Sequence, residues 1–192
     1  QSSGSTLGII SDSTWIETSS EIINLLYDSN YSMEVKYGWN LASSEWLIRI
    51  YLSGGSPREV IFNDSKIMQA YVFGDGSGNS FRFCVDDNLP NSSSSNHEVS
   101  PWFAIDWVGW KLVSWDMSTD GTGSWIGDGN LDGNMRFDSF QLKYNQGQSQ
   151  FGKIYIDDFR IVDNVILSTL ENNFESAVSL GRNFPNPFNS ST

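Results

Sequence analysis

Apolar and polar residues alternate along most of the chain, and the alternation is that of strands. Residues 32–39 (SMEVKYGW) place Met33, Val35, Tyr37 and Trp39 on one face and Ser32, Glu34 and Lys36 on the other. A period of two sends successive side chains to opposite faces of a sheet, so this segment predicts a half-buried strand. Residues 45–52 (EWLIRIYL) repeat the pattern, with Trp46, Ile48 and Ile50 on one face and Leu47, Arg49 and Tyr51 on the other. A Ser-Gly-Gly-Ser-Pro turn and a short strand over 59–62 follow. Residues 66–73 and 80–86 flank Gly-Asp-Gly-Ser-Gly-Asn, the composition of a hairpin loop. Residues 101–117 (PWFAIDWVGWKLVSWDM) hold one or two strands, and 136–144 and 152–162 are the last two. The stretches 88–96 and 119–133, rich in Ser, Asn, Gly and Asp, read as loops.

Seven to nine strands result, with no amphipathic helix; 19–26 (SSEIINLL) offers one or two helical turns, capped by Ser19 or Ser20. That succession predicts an all-β sandwich or jelly roll. The strand at 152–162 is apolar on both faces, Ile154, Ile156 and Val162 against Tyr155, Phe159 and Ile161. Such a strand either lies centrally with something packed on each side or carries a bulge. The chain therefore divides into an N-terminal arm over 1–11, a sandwich over 12–163 and a C-terminal arm over 164–192, where strand signals end.

Two segments carry a resemblance. Residues 106–116 (DWVGWKLVSWD) resemble the "GW…v…dl" strand of jelly-roll carbohydrate-binding modules, and 152–162 (GKIYIDDFRIV) their closing strand, G-x-iyiDD-hydrophobic. With the strand count, the resemblance covers roughly residues 30–163. It implies a β-sandwich, often with one structural calcium near the closing strand, and a sugar site on a concave face or at loop tips. The tail, 183–192 (NFPNPFNSST), resembles the opening of the C-terminal sorting domain of bacterial type IX secretion. That implies a secreted or surface-attached protein from a Bacteroidetes-like or related lineage.

Composition narrows the partners. Eleven basic residues against 23 acidic ones give a net charge of −12, which repels phosphate backbones and anionic lipid surfaces and excludes nucleic acid as an expected partner. No stretch approaches 18 uninterrupted apolar residues, so no membrane span is predicted. A single cysteine, Cys84, allows no internal disulfide and no cysteine-based zinc site. The single histidine, His97, sits in a Ser-rich segment and reads as a solvated loop residue. Acidic residues are plentiful, but no motif pairs them for glycosidase chemistry, so a non-catalytic protein is expected. Gln1 opening a Gly/Ser-rich stretch reads as the mature end of a secreted chain.

Three chemistries remain. Asp128, Asn130 and Asp132 with Gly133 match the first half of a D-x-N-x-D-G calcium loop, in which oxygen ligands at alternate positions wrap a hard cation. The twelfth position is Ser139, with Asp138 beside it; a solvated Gly/Asp loop is the alternative. Asp157 and Asp158 form a second calcium candidate through the resemblance. Among the eight tryptophans, Trp102, Trp107 and Trp125 are candidates for stacking on a pyranose ring or on a protein partner, Trp125 being the most exposed in prospect and Trp110 core. The arms offer strands for exchange between copies, through Leu7, Ile9 and Ile10 at one end and Val165, Ile166, Leu167, Phe184 and Phe188 at the other. The expected function is a secreted, non-catalytic, self-associating structural or adhesive subunit of filament type. The alternative is a polysaccharide-binding module of a secreted glycoside-active enzyme.

Overall fold

Two antiparallel sheets face each other across a core of aromatic and branched side chains. The computed structural model describes residues 6–27, 29–51, 60–91, 93 and 96–164. Its strands are β1 (Trp15–Ser19), β2 (Ser32–Gly38), β3 (Ile48–Tyr51), β4 (Lys66–Asp75), β5 (Ser80–Leu89), β6 (His97–Val99), β7 (Phe103–Ala104), β8 (Val108–Asp116), β9 (Asn134–Lys143) and β10 (Phe151–Asp163). Sheet I runs β1-β2-β10-β4-β8 and sheet II β3-β9-β5-β6, with β7 also paired to β5. The all-β jelly-roll sandwich predicted from the alternation is the architecture observed.

The alternation places the core. Val35 and Tyr37 of β2, Met68, Ala70 and Val72 of β4 and Val113 and Trp115 of β8 point inward from sheet I. Ile48 and Ile50 of β3 and Phe81, Phe83 and Val85 of β5 meet them from sheet II. Two short strands escaped the sequence pattern. Every residue of β1 is at least partly exposed, so it shows no inward face, and β6 lies in what reads as a Ser-rich loop. The expected strand at 59–62 is, among the described residues, a single bridge from Phe62 to Met135. The expected helical turns reduce to one 3-10 turn, Leu25–Tyr27.

Strand β10 satisfies both readings of its two-faced pattern. It lies between β2 and β4, and it carries a bulge between Asp157 and Arg160, with Asp158 at a φ of 47°. The extra residue resets the alternation, so Phe159 turns inward while Tyr155 faces out against Phe73. A second bulge lies in β9: Cys84 pairs with Ser139 but Val85 pairs with Phe137, leaving Asp138 over. Phe137 and Phe140 therefore both point inward, 4.8 Å apart at their ring centres. Phe159 packs on them at 4.4 and 5.3 Å, joining sheet I to sheet II.

The N-terminal segment pairs with its own chain. Leu7 bridges Leu47, Ile9 bridges Trp39, and the Ile10 N–H donates to the Gly38 carbonyl. The backbone groups that a donated strand would offer are engaged at these positions. Val165, Ile166, Leu167, Phe184 and Phe188, and with them the tail motif, lie outside the described residues.

Truncating Phe137 to Ala should cost about 3–5 kcal/mol of folding stability, because a fully buried ring leaves a cavity between bulged strands that cannot collapse. Phe151→Ala, at a residue 55% exposed, should cost less than about 1 kcal/mol. Urea midpoints of the two variants test the difference.

Candidate functional site

The outward alternates of sheet II are charged. Arg49 (β3) donates to Asp138 (β9) through Nε at 3.1 Å and Nη2 at 2.6 Å, and through Nε to Ser139 Oγ at 3.3 Å. The bulge makes this possible, since it turns both Asp138 and Ser139 away from the core. Asp86 (β5) accepts from Arg136 Nε at 2.9 Å and lies 3.0 Å from His97 Nε2 (β6); His97 is also 3.7 Å from Asp138. One ionic network thus crosses all four strands. Burial alone would raise the Asp86 carboxyl, but hydrogen bonds from His97 and Arg136 overcome it and hold it at about 2. Trp125 covers the network from the 119–133 loop, 5.1 Å from the Arg49 guanidinium and edge-on to His97 at 5.9 Å.

Beside this network, Arg82 is buried with no carboxylate as an ion-pair partner among the described residues. Its Nε donates to Gln141 at 2.8 Å, Nη1 donates to the Ser124 carbonyl at 3.2 Å, and its guanidinium carbon sits 3.9 Å from the centre of the Trp102 ring. Burial brings Arg82 down to about 10, and burial together with the Arg82 charge lowers Lys143, which lies 4.7 Å from the same ring. Trp102 is therefore held on a rigid cationic support.

Trp102 also lines a cavity. Between β7 and β8, where the chain crosses from sheet II to the edge of sheet I, a cavity of about 480 Å³ is walled by Trp102, Phe103 and Trp107, with Asp106, Lys111 and Ser114 supplying polar groups. The Trp107 indole N–H donates to the Val72 carbonyl at 3.3 Å, and Lys111 Nζ lies 4.5 Å from the ring centre. Strand β8 pairs with β4 alone among the described residues, so the cavity runs along a sheet edge. Its volume falls in the range of small-ligand sites, ~300–1,000 Å³.

A third cluster is purely acidic. The 119–133 loop folds over the end of β5 and β6. The Gly129 N–H donates to Glu98 Oε1 at 3.1 Å, and the Asp132 N–H to Asp87 Oδ2 at 2.9 Å. Burial pushes both carboxyls up, and the charge of Asp128 adds to it. Neither Asp87 nor Glu98 has a basic side chain as an ion-pair partner among the described residues.

The predicted residues thus separate. Trp102 and Trp107 share one cavity. Trp125 is half-buried over sheet II, with its indole nitrogen buried and unpartnered. Trp110 is not core: it lies on the outer face of sheet I, edge-on to Phe73, donating to the Ile23 carbonyl at 3.2 Å. Asp128, Asn130 and Asp132 form an exposed loop, but Asp138 is remote in role; residues 134–143 are extended as β9 and cannot fold back as the end of a calcium loop would, and Asp138 is paired with Arg49. Asp157 accepts from the Asp158 N–H within the bulge, and Asp158 pairs with Arg160 at 2.9 Å. His97 is not a solvated loop residue; it is half-buried in β6 against Asp86. Arg49, Arg82, Asp86 and Glu98 were not anticipated, although Arg49 and Arg82 alternate with core residues in their strands, which is the available signal.

The hydrogen bond to Asp86 raises the His97 pKa, burial opposes it, and Asp86 and Asp138 charges outweigh Arg49. A base with a higher pKa folded than unfolded stabilises the fold fully below its unfolded value, about 6.5, and loses that contribution as pH rises through the folded value. The stability gap between wild type and His97→Gln should therefore be widest below about pH 6 and shrink at higher pH. Urea unfolding across pH measures it; a gap that widens with pH would contradict the pairing.

No protein-family profile matches the chain, and no curated protein sequence matches it. Solved structures do. A carbohydrate-binding module of the β-sandwich superfamily aligns with a TM-score of 0.53 at 11% identity over 83% of this chain, which spans 56% of that one. A family 30 carbohydrate-binding module aligns with a TM-score of 0.50 at 9% identity, covering 81% of this chain and 90% of its own. At these identities the likeness is one of fold, and the fold is that of the carbohydrate-binding-module β-sandwich.

Proposed function

We propose that this chain is a non-catalytic polysaccharide-binding module of a secreted protein, and that it takes a saccharide in the cavity between β7 and β8. The observation that carries the reading is the pair of tryptophans, Trp102 and Trp107, lining one cavity of about 480 Å³ with Asp106, Lys111 and Ser114 beside them. Indole faces offer an apolar platform to the C–H face of a pyranose ring, and the carboxylate, ammonium and hydroxyl groups are suited to its hydroxyls. Arg82, fixed by Gln141 and the Ser124 carbonyl, holds Trp102 in place before any ligand arrives, which lowers the ordering cost of binding. The likeness in fold to modules named for carbohydrate binding supports the same reading. The composition and the tail motif support secretion. Self-association through the arms has less support, because Leu7, Ile9 and Ile10 are paired within the chain.

Isothermal titration against soluble β-glucans, xylans and mannans tests this. Wild type should bind at least one class. Trp102→Ala and Trp107→Ala should each weaken that binding about tenfold or more, equivalent to ~1.4 kcal/mol, while Trp110→Ala leaves it within about twofold. Binding that survives both cavity variants, or no binding across the panel, would contradict the proposal.

A further inference from the structure

The acidic corner beneath the 119–133 loop lies apart from the cavity between β7 and β8. Asp87, 1% exposed, and Glu98, 2% exposed, are both essentially withdrawn from water. Asp87 Oδ2 accepts from the Asp132 N–H, but Asp87 Oδ1 is buried with no hydrogen-bond partner. The Asn96 side chain lies near enough to favour the charged form without bonding that oxygen. A buried, unpartnered carboxylate oxygen is costly unless a cation completes it. Directly over this pair lies the loop whose spacing, Asp128, Asn130, Asp132, Gly133, is that of a calcium-binding turn. The loop closes down because residue 127 is glycine: a Cβ there would run into the Glu98 carboxylate.

We propose that Asp87 and Glu98, together with Asp128 and Asp132, bind one calcium ion that ties the 119–133 loop to the end of β5 and β6. The ligands are all hard oxygens, which suits Ca²⁺ and disfavours the nitrogen- and sulfur-seeking metals. Asp87 and Glu98 supply the fixed, buried part of the set. Asp128 and Asp132, whose residues are exposed, close onto the ion, and water completes the six to eight ligands that calcium takes. The rival cluster in the fold, Asp86, His97 and Asp138, has its ligand atoms within 4.8 Å of one another, but Arg49 and Arg136 already neutralise its carboxylates, so it is an ion-pair network.

The test uses the full chain stripped with EDTA, with melting followed as CaCl₂ is added. Calcium should raise the melting temperature by several degrees, as binding to the folded state alone requires. Asp87→Asn and Glu98→Gln should each abolish that rise, while Asp157→Asn and Asp138→Asn retain it. If the buried variants fail to fold, Asp128→Asn at the exposed position decides, with an expected loss of at least about tenfold in apparent calcium affinity, or ~1.4 kcal/mol. No calcium shift in wild type would overturn the proposal. So would a shift that survives in Asp87→Asn, Glu98→Gln and Asp128→Asn, or one lost only in Asp157→Asn.

Discussion

The contact of Phe159 with Phe137 and Phe140 is the constraint on which the rest of the molecule depends. It joins the two sheets at ring separations of 4.4 and 5.3 Å, and it exists because β9 and β10 are both bulged. Without the bulge in β10, Phe159 would share the face of Tyr155 and point to solvent. Without the bulge in β9, Phe137 and Phe140 would lie on opposite faces, as residues three apart in a regular strand do. The same irregularities deliver the polar groups: the β9 bulge turns Asp138 and Ser139 outward to meet Arg49, and the β10 bulge places Asp158 where it reaches Arg160.

The outward charges in turn occupy one face of the sandwich. Arg49, Asp138, His97, Asp86 and Arg136 satisfy one another across sheet II beneath Trp125, and little of Asp86 or Asp138 is accessible. Removing a single partner from such a network strands a buried charge and costs more than the pair contributes. That face is a locked surface. At the side of the sandwich, the crossover from β7 to β8 sets the half-buried Trp102 and Trp107 around one cavity. Trp102 links the two regions: its ring centre lies 3.9 Å from the Arg82 guanidinium, and the residue also lines the cavity.

Most of the sandwich was legible because its strands alternate with a period of two outside the bulges: 32–39, 66–73 and 136–144 announce β2, β4 and β9 to within two residues at either end. Strands β1 and β6 were not, since an exposed edge and a three-residue strand offer no amphipathic pattern. The site was legible in part. Trp102 and Trp107 could be named from composition, but their meeting depends on a crossover between sheets that no local pattern encodes. Asp128, Asn130 and Asp132 could be named from spacing, whereas Asp87 and Glu98 come from distant strands and accept hydrogen bonds from that loop's backbone only through the fold. Asp138 was misplaced because counting along a loop motif assumes that the chain stays a loop, and here it has become β9. His97 reads as solvated because four serines in a row precede it, while pairing with Asp86 across β5 and β6 withdraws it.

The most direct test of the account is an NMR titration that follows the eight indole N–H resonances while soluble oligosaccharides of the bound class are added. The cavity between β7 and β8 predicts that the Trp102 and Trp107 signals move together and saturate at one affinity, with Trp39 and Trp115 of the core unmoved. Perturbation centred on Trp125 over sheet II, or on Trp110 on the far face, would place the ligand elsewhere and contradict it.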